Sequence, residues 1–241
     1  MKPSVPPDLS AFGDFRVTGP MAGGNRATVW RVEDAAGRAY AARSTRRSEA
    51  QLRWVLVAQR LARQAGFRVA PYRPTASGVL APNGWTLEPL LEGRGAGVAE
   101  MRSLIPRIQA FHALSADLPQ RPGFASCVEL VGQDKGGDVD MAALPDSLRE
   151  ACRAAWAPFH GRAMAGLHGD LGPGNVIFGT GGPALIDWDE ARRDLPFHDL
   201  ASGQRLPADE VRAHLAFEVA TCWAAEPDYA RSLAKELLAI H

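Results

Sequence analysis

Between Phe15 and Arg47, apolar and polar residues come in short runs separated by glycine: FRVTG, ATVWRVED and RAYAARS. Runs of this length, rich in aromatic and β-branched residues, predict three strands, with Ala35-Ala-Gly37 as the turn between the second and third. Leu52, Val55, Leu56, Gln59 and Leu61 then recur at roughly helical spacing. They predict a helix from about Ser48 to Gln64 that Gly66 ends. Two more strands are expected near residues 77–81 and 84–90. Residues 93–97, Gly-Arg-Gly-Ala-Gly, are expected to be a linker. Beyond it the pattern turns helical over Val98 to Leu114 and Pro145 to Phe159, and again from Ala208 onward. Residues 115–144 hold scattered prolines and glycines and predict no regular element. Residues 174–187 read as a tight hairpin, NVIF then GTGG then PALID.

The expected fold class is therefore α+β, in two lobes. Residues 11–92 form a small N-lobe of five antiparallel strands and one helix. Residues 93–241 form a larger, mainly helical C-lobe that carries the hairpin. Residues 1–10 are proline-rich and expected to be disordered or loosely packed.

Composition narrows the partners. The chain has 241 residues, 46% of them apolar, enough for a real core, and equal numbers of basic and acidic side chains, 27 each. A zero formal charge gives no support for nucleic acid or an anionic membrane as partner. Cys127, Cys152 and Cys222 lie far apart, without metal-ligand spacing, and are expected to be buried thiols. The N-terminal MKPSVPPDLS has no apolar segment of a signal peptide, and no run approaches the ~20 apolar residues of a membrane span. A cytoplasmic protein is expected.

The chemistry concentrates in two stretches, Leu167-His-Gly-Asp-Leu-Gly-Pro-Gly-Asn175 and Leu185-Ile-Asp187-Trp-Asp189-Glu. Asp170 and Asn175 sit five apart on a loop of glycine and proline, so both side chains can face one cavity. Asp187 ends the second strand of the hairpin that begins at Asn175, and antiparallel pairing returns it to Asn175. A carboxylate and an amide carbonyl suit Mg²⁺ on nucleotide phosphates. A separate carboxylate nearby can accept a proton from an attacking hydroxyl. Gly19-Pro-Met-Ala-Gly23-Gly24-Asn25, between the first two strands, would let backbone N–H groups approach phosphate oxygens.

These residues resemble the catalytic and metal-binding loops of the aminoglycoside phosphotransferase/choline kinase family, relatives of the protein kinases. The match continues at Asp199-Leu-Ala201. The resemblance implies a bilobal protein-kinase-like fold, with Asp170 as catalytic base and Asn175 and Asp187 as Mg²⁺ ligands. It implies that His168 is structural and that Asp199 accepts backbone N–H bonds from the catalytic loop. Gly23, Gly24 and Asn25 resemble the family's nucleotide loop. Lysine occurs only at positions 2, 135 and 235, so the third-strand cation that meets the phosphates would be Arg43. Its helical partner carboxylate would be Glu49. Trp85 to Gly93 resembles the hinge, where the adenine would bond to the Glu88 carbonyl and the Leu90 N–H. His112 resembles a packed core residue of the first C-lobe helix.

The implied activity is transfer of the γ-phosphate of ATP or GTP to a hydroxyl of a small molecule. An aminoglycoside-like antibiotic is one candidate acceptor, and a metabolite such as an amino alcohol, a homoserine-like compound or a biosynthetic intermediate is another. A nucleotide-binding regulatory protein without activity is the reading from a different class, opposed by the presence of all three catalytic oxygens. Asp194-Leu-Pro196 departs from the family's usual Gly-Asp-Pro beside the acceptor site, which points to an unusual acceptor.

Overall fold

The computed structural model describes residues 5–21 and 27–240. The N-lobe sheet runs in the order β1 (Phe15–Pro20), β2 (Val29–Asp34), β3 (Ala39–Ser44), β5 (Trp85–Pro89), each pair antiparallel. Helix α1 (Glu49–Gln64) follows β3, and the two-residue strand β4 (Arg68–Val69) follows α1. Ser48 caps α1 by accepting from the Gln51 amide, while the Gln51 side chain accepts from the Ser48 amide. This reciprocal box fixes the helix start where Ser48 predicted it.

The N-lobe sheet has four strands, which corrects the expectation of five. Residues 77–81 do not pair with the sheet. Thr75 donates its amide to Val79, Gly78 turns with φ +84° and donates to Thr75, and Pro71 and Pro74 have no N–H to give. The segment thus closes on itself as a turn. Its apolar Leu80 is buried, but the Leu80 N–H is bonded to the Glu49 carboxylate and makes no ladder bond.

The expected linker is partly strand as well. β6 (Arg94–Gly95) pairs with β10 (Val176–Gly179), which pairs with β11 (Gly182–Leu185), and β4 lies parallel to β11 on the far edge. A Cβ on Gly93 would collide with the Phe178 carbonyl, so only glycine lets the chain pass there.

The C-lobe continues with α2 (Val98–Leu114), the small hairpin β7 (Lys135–Gly136) and β8 (Val139–Asp140), and α3 (Asp146–Trp156). Then come β9 (Ala165–Leu167), the β10–β11 hairpin, β12 (Arg192–Asp194), α4 (Phe197–Leu200), α5 (Ala208–Cys222) and α6 (Pro227–Ala239). β9 and β12 pair antiparallel and bring the ends of the two motif segments together.

Three apolar clusters hold this arrangement. One fills the N-lobe around Val32, Ala42 and Leu87 and includes Leu9. Pro7 is buried too, so the expectation of a loose N-terminus does not hold for residues 7–9; residues 1–4 lie outside the described chain. A second unites α1 with the C-lobe, joining Leu52 and Val55 to Met101, Val176, Leu185 and Trp188. The third lies among α3, α5 and α6 around Trp156 and Phe217. The three cysteines are buried and unbridged. Among the described residues, no helix is long and apolar enough to cross a membrane.

Trp156 is fully buried, and its indole N–H donates to the Ala213 carbonyl at 3.0 Å. Trp156→Ala should therefore cost about 3–5 kcal/mol, from lost apolar burial, the cavity left behind and the lost indole hydrogen bond. Urea unfolding would show it as a lower midpoint; a loss under about 1 kcal/mol would mean that this cluster does not hold the C-lobe together.

Candidate active site

The loop after β9 is pinned from below. Asp199, on α4, is buried, and its carboxylate receives the His168 amide at 2.8 Å, the Gly169 amide at 2.9 Å and His112 Nε2 at 3.1 Å. Burial alone would raise the Asp199 pKa, but the hydrogen bond from His112 and the nearby imidazole and backbone donors bring it below the usual carboxylate range. The His168 ring is buried against Trp188 and donates Nε2–H to the Ile186 carbonyl at 2.8 Å. Its position is that of a strut beneath the loop. Gly169 has φ +85°, and a Cβ there would collide with the Glu190 carbonyl. With those two residues fixed, Asp170 projects into solvent at the floor of a cleft.

The β10–β11 hairpin supplies the remaining oxygens. Val176 faces Leu185, and Ile186 donates its amide to the Asn175 carbonyl at 3.1 Å, so Asn175 and Asp187 leave the hairpin at the same end. The Asn175 side-chain amide donates to both the carbonyl and the carboxylate of Asp170, each at 2.8 Å. With the nitrogen turned toward Asp170, the Asn175 amide oxygen is left for another partner. Asp187 has φ +60°, a left-handed conformation that few residues other than glycine and asparagine adopt. One carboxylate and one amide oxygen form a donor set of the hard-oxygen kind that Mg²⁺ takes.

Arg43 reaches this group from β3. Its Nη1 donates to both carboxylate oxygens of Asp187 at 3.0 Å, and its Nε lies 4.0 Å from Glu88. The cavity that Arg43, Glu88 and Asp187 line together measures only about 10 Å³. Arg43 thus sits where the sequence placed its cation, facing the expected metal ligand.

Other expectations change. Glu49 does not approach Arg43; it accepts from the Leu80 amide and pairs with Arg53 one turn along α1. The Leu90 N–H donates to the Ala39 carbonyl at 3.0 Å and is committed to the sheet. By the alternation of an antiparallel ladder, Glu88 exchanges its backbone bonds with Ala41, while Leu87 and Pro89 turn theirs to the opposite edge. The Arg73 amide indeed meets the Leu87 carbonyl on that edge. The outward carbonyl is that of Pro89, so the expected base contacts are out of register by one residue. Gly23, Gly24 and Asn25 lie outside the described residues.

Two features escaped the sequence reading. Arg47 bridges the lobes, donating to Asp189 at 2.7 and 3.0 Å and to Asp138 at the tip of the β7–β8 hairpin. Arg47 and the buried Arg121 also lie over the ring of Phe124. The second feature is the Glu88 side chain itself, buried in the cleft where only its backbone was expected to matter. The strand alternation over residues 85–89 already placed it on the same face as Thr86, with which it lines the cleft.

Asp170 borders two cavities. One of about 270 Å³ is lined by His198, His214, Leu215, Tyr229 and Leu233. The other, of about 190 Å³, is lined by Glu190, Glu218 and Glu226. Burial holds His198 far below the usual imidazole range and lowers His214 too, so the first cavity sets neutral rings and apolar side chains beside the Glu218 carboxylate, which it shares with the second.

Known proteins place this geometry. The family model for the phosphotransferase enzyme family matches residues 18–234. Among solved structures, an amicoumacin kinase in complex with AMP-PNP, Ca²⁺ and Ami superposes with a TM-score of 0.65 at 13% identity, covering 92% of this chain and 87% of that one. The aminoglycoside phosphotransferase APH(4)-Ia, as a ternary complex with ADP and hygromycin B, gives 0.61 at 12% identity and coverages of 95% and 96%. A fructosamine-3-kinase homologue from Thermobifida fusca gives 0.57 at 14% identity, covering 92% and 93%. Among curated proteins, no sequence matches. Identities this low carry the fold alone, but the family model spans nearly the whole chain and takes in the loop, the hairpin and the cleft. The chain belongs to the phosphotransferase enzyme family and is a small-molecule kinase.

Proposed function

We propose that this kinase transfers the γ-phosphoryl group of ATP, or of GTP, to a hydroxyl of a small acceptor bound beside Asp170. The observation that carries the reading is the convergence of Asp170, Asn175 and Asp187 at one end of the β10–β11 hairpin. Asp170 accepts the proton of the acceptor hydroxyl as that oxygen attacks the γ-phosphorus. Asn175 holds the Asp170 carboxylate by its amide N–H and turns its own oxygen toward the nucleotide. Asp187, with that oxygen, would hold Mg²⁺, which would supply positive charge against the phosphates. Arg43 donates to the phosphates. Its Nη1 now donates to both carboxylate oxygens of Asp187, so phosphate oxygens bound there would compete with that carboxylate for the guanidinium.

The acceptor reading follows from the two cavities. Glu190, Glu218 and Glu226 line one of them, which favours an acceptor carrying positive charge. The other sets imidazole rings and apolar side chains beside the same Glu218, which suits an acceptor with an apolar portion next to its charged group. An aminoglycoside-like antibiotic and an amino alcohol both meet the first condition. The regulatory reading loses ground to the pinned loop, which holds the carboxylate of a proton acceptor in solvent.

Mg²⁺–ATP at about one hundred times its dissociation constant should stabilise the fold by about 2.7 kcal/mol. Asp187→Asn should abolish most of that stabilisation, because the metal loses a charged ligand. A thermal melt with and without Mg²⁺–ATP measures it; an undiminished shift in the variant would remove Asp187 from the metal site.

Asp170→Asn should leave nucleotide affinity near that of the wild type, since Asp170 faces the acceptor. Turnover should fall by about 10²–10⁴-fold. His168→Ala should chiefly lower stability, because its ring supports the loop from a buried position. Should Asp170→Asn turn over normally while folded His168→Ala is dead, the proton acceptor would be the histidine and the reading would fail.

A further inference from the structure

The cation on β3 of a kinase needs a carboxylate to aim it, and in protein kinases that carboxylate comes from the helix after β3. Here the helix carboxylate is engaged elsewhere. Glu49 stands at the first turn of α1, accepts the Leu80 amide at 3.1 Å and pairs with Arg53 at 2.7 Å. Releasing it would leave the amide of a buried residue unpaired. Nor is α1 loosely hung on the N-lobe, since Leu52, Val55, Ala58 and Ala62 pack into one cluster with Met101, Ile108 and Trp188 of the C-lobe.

Arg43 nonetheless has a second carboxylate beside it. In the β3–β5 ladder Arg43 stands opposite Thr86 and Ala41 opposite Glu88, which makes Arg43 and Glu88 diagonal neighbours on one face. Side chains at such positions reach each other when both are long. Glu88 Oε1 lies 4.0 Å from Arg43 Nε, and the two side chains are only 14% and 18% exposed. Nη1 of the same guanidinium points the other way, to Asp187. The guanidinium is thus hydrogen-bonded to the hairpin through Nη1 and has the Glu88 carboxylate beside its Nε edge at ion-pair distance.

We propose that Glu88 is the positioning residue for Arg43, taking the part that a helix carboxylate plays in protein kinases. This rests on the reading of Arg43 as the phosphate cation. Glu88 is the carboxylate that shares the sheet with Arg43, so it would keep the guanidinium aimed across the cleft whichever partner Asp187 takes. Both members lie on adjacent strands, so their register is set by backbone pairing and does not depend on where α1 sits. The aim of the cation is therefore built into the sheet, and no movement of the helix can switch it.

Burial pushes the Glu88 carboxyl up to about 7, with Arg43 opposing that rise and Asp187 adding to it. A neutral glutamine of the same size therefore suits the site, and Glu88→Gln should fold. The experiment is a double-mutant cycle on ATP binding, measured by calorimetry both in EDTA and with Mg²⁺, alongside kcat/KM for ATP hydrolysis without an acceptor. Arg43→Ala and Glu88→Gln should each lower kcat/KM by about tenfold or more. The double variant should lose no more than Arg43→Ala alone, because Glu88 acts only through Arg43. Glu49→Gln should stay within about twofold of wild type while melting at a lower temperature. Additive losses in the Arg43–Glu88 pair, or coupling of Arg43 to Glu49 instead, would overturn the proposal. If Arg43→Ala itself binds and hydrolyses ATP like wild type, the underlying assignment of Arg43 fails, whatever Glu88 does.

Discussion

The site depends on one buried carboxylate. Asp199 takes the backbone N–H groups of His168 and Gly169 and the ring of His112, so three segments distant in sequence meet at a single charge. An uncompensated carboxylate at that depth would be costly, and a loop missing its two amide bonds would be free to wander. Each need satisfies the other. The result is a loop whose shape is set from beneath, leaving Asp170 in solvent and pointed at whatever binds in the cleft.

Charge pairing across the cleft completes the frame. Arg43 with Asp187, and Arg47 with Asp189 and Asp138, tie the N-lobe to the hairpin and its flank from the third strand and the loop that follows it. The guanidinium groups themselves are mostly shielded, so these contacts are aimed as well as attractive. Asp187 faces Arg43, Asp189 two residues on faces Arg47, and Trp188 between them packs into the core against Phe111. One short segment thus serves cleft, core and lobe contact in consecutive residues.

Much of this was legible beforehand. Asp170, Asn175 and Asp187 were placed together by hairpin geometry, and Ser48, Gly66 and the apolar stripe located α1. Residues 98–114 formed the helix that their spacing required. The failures have local physical causes. Residues 77–81 looked like a strand by composition, yet two prolines before them and the turn at Gly78 diverted their hydrogen bonds. The hinge was misread by one residue because side-chain pattern does not reveal which backbone groups a ladder consumes. Residues 115–144 gave no periodic signal because their order comes from side chains such as Asp138 and Phe124 meeting distant arginines.

By itself, the order of residues determined the elements, the catalytic loop and the family, because these rest on local spacing: period, turn chemistry and motif. It left an arginine as the third-strand cation, since no lysine stands between residues 2 and 135, and Arg43 lies on that strand. Only the tertiary structure decided which carboxylate attends that cation. Glu49 and Glu88 were both within reach of Arg43 in principle. The fold gave Glu49 to the Leu80 amide and put Glu88 diagonally across the ladder from Arg43. Pairings of that kind follow from strand register and from competition among hydrogen-bond partners, which are settled only when segments far apart in sequence come together.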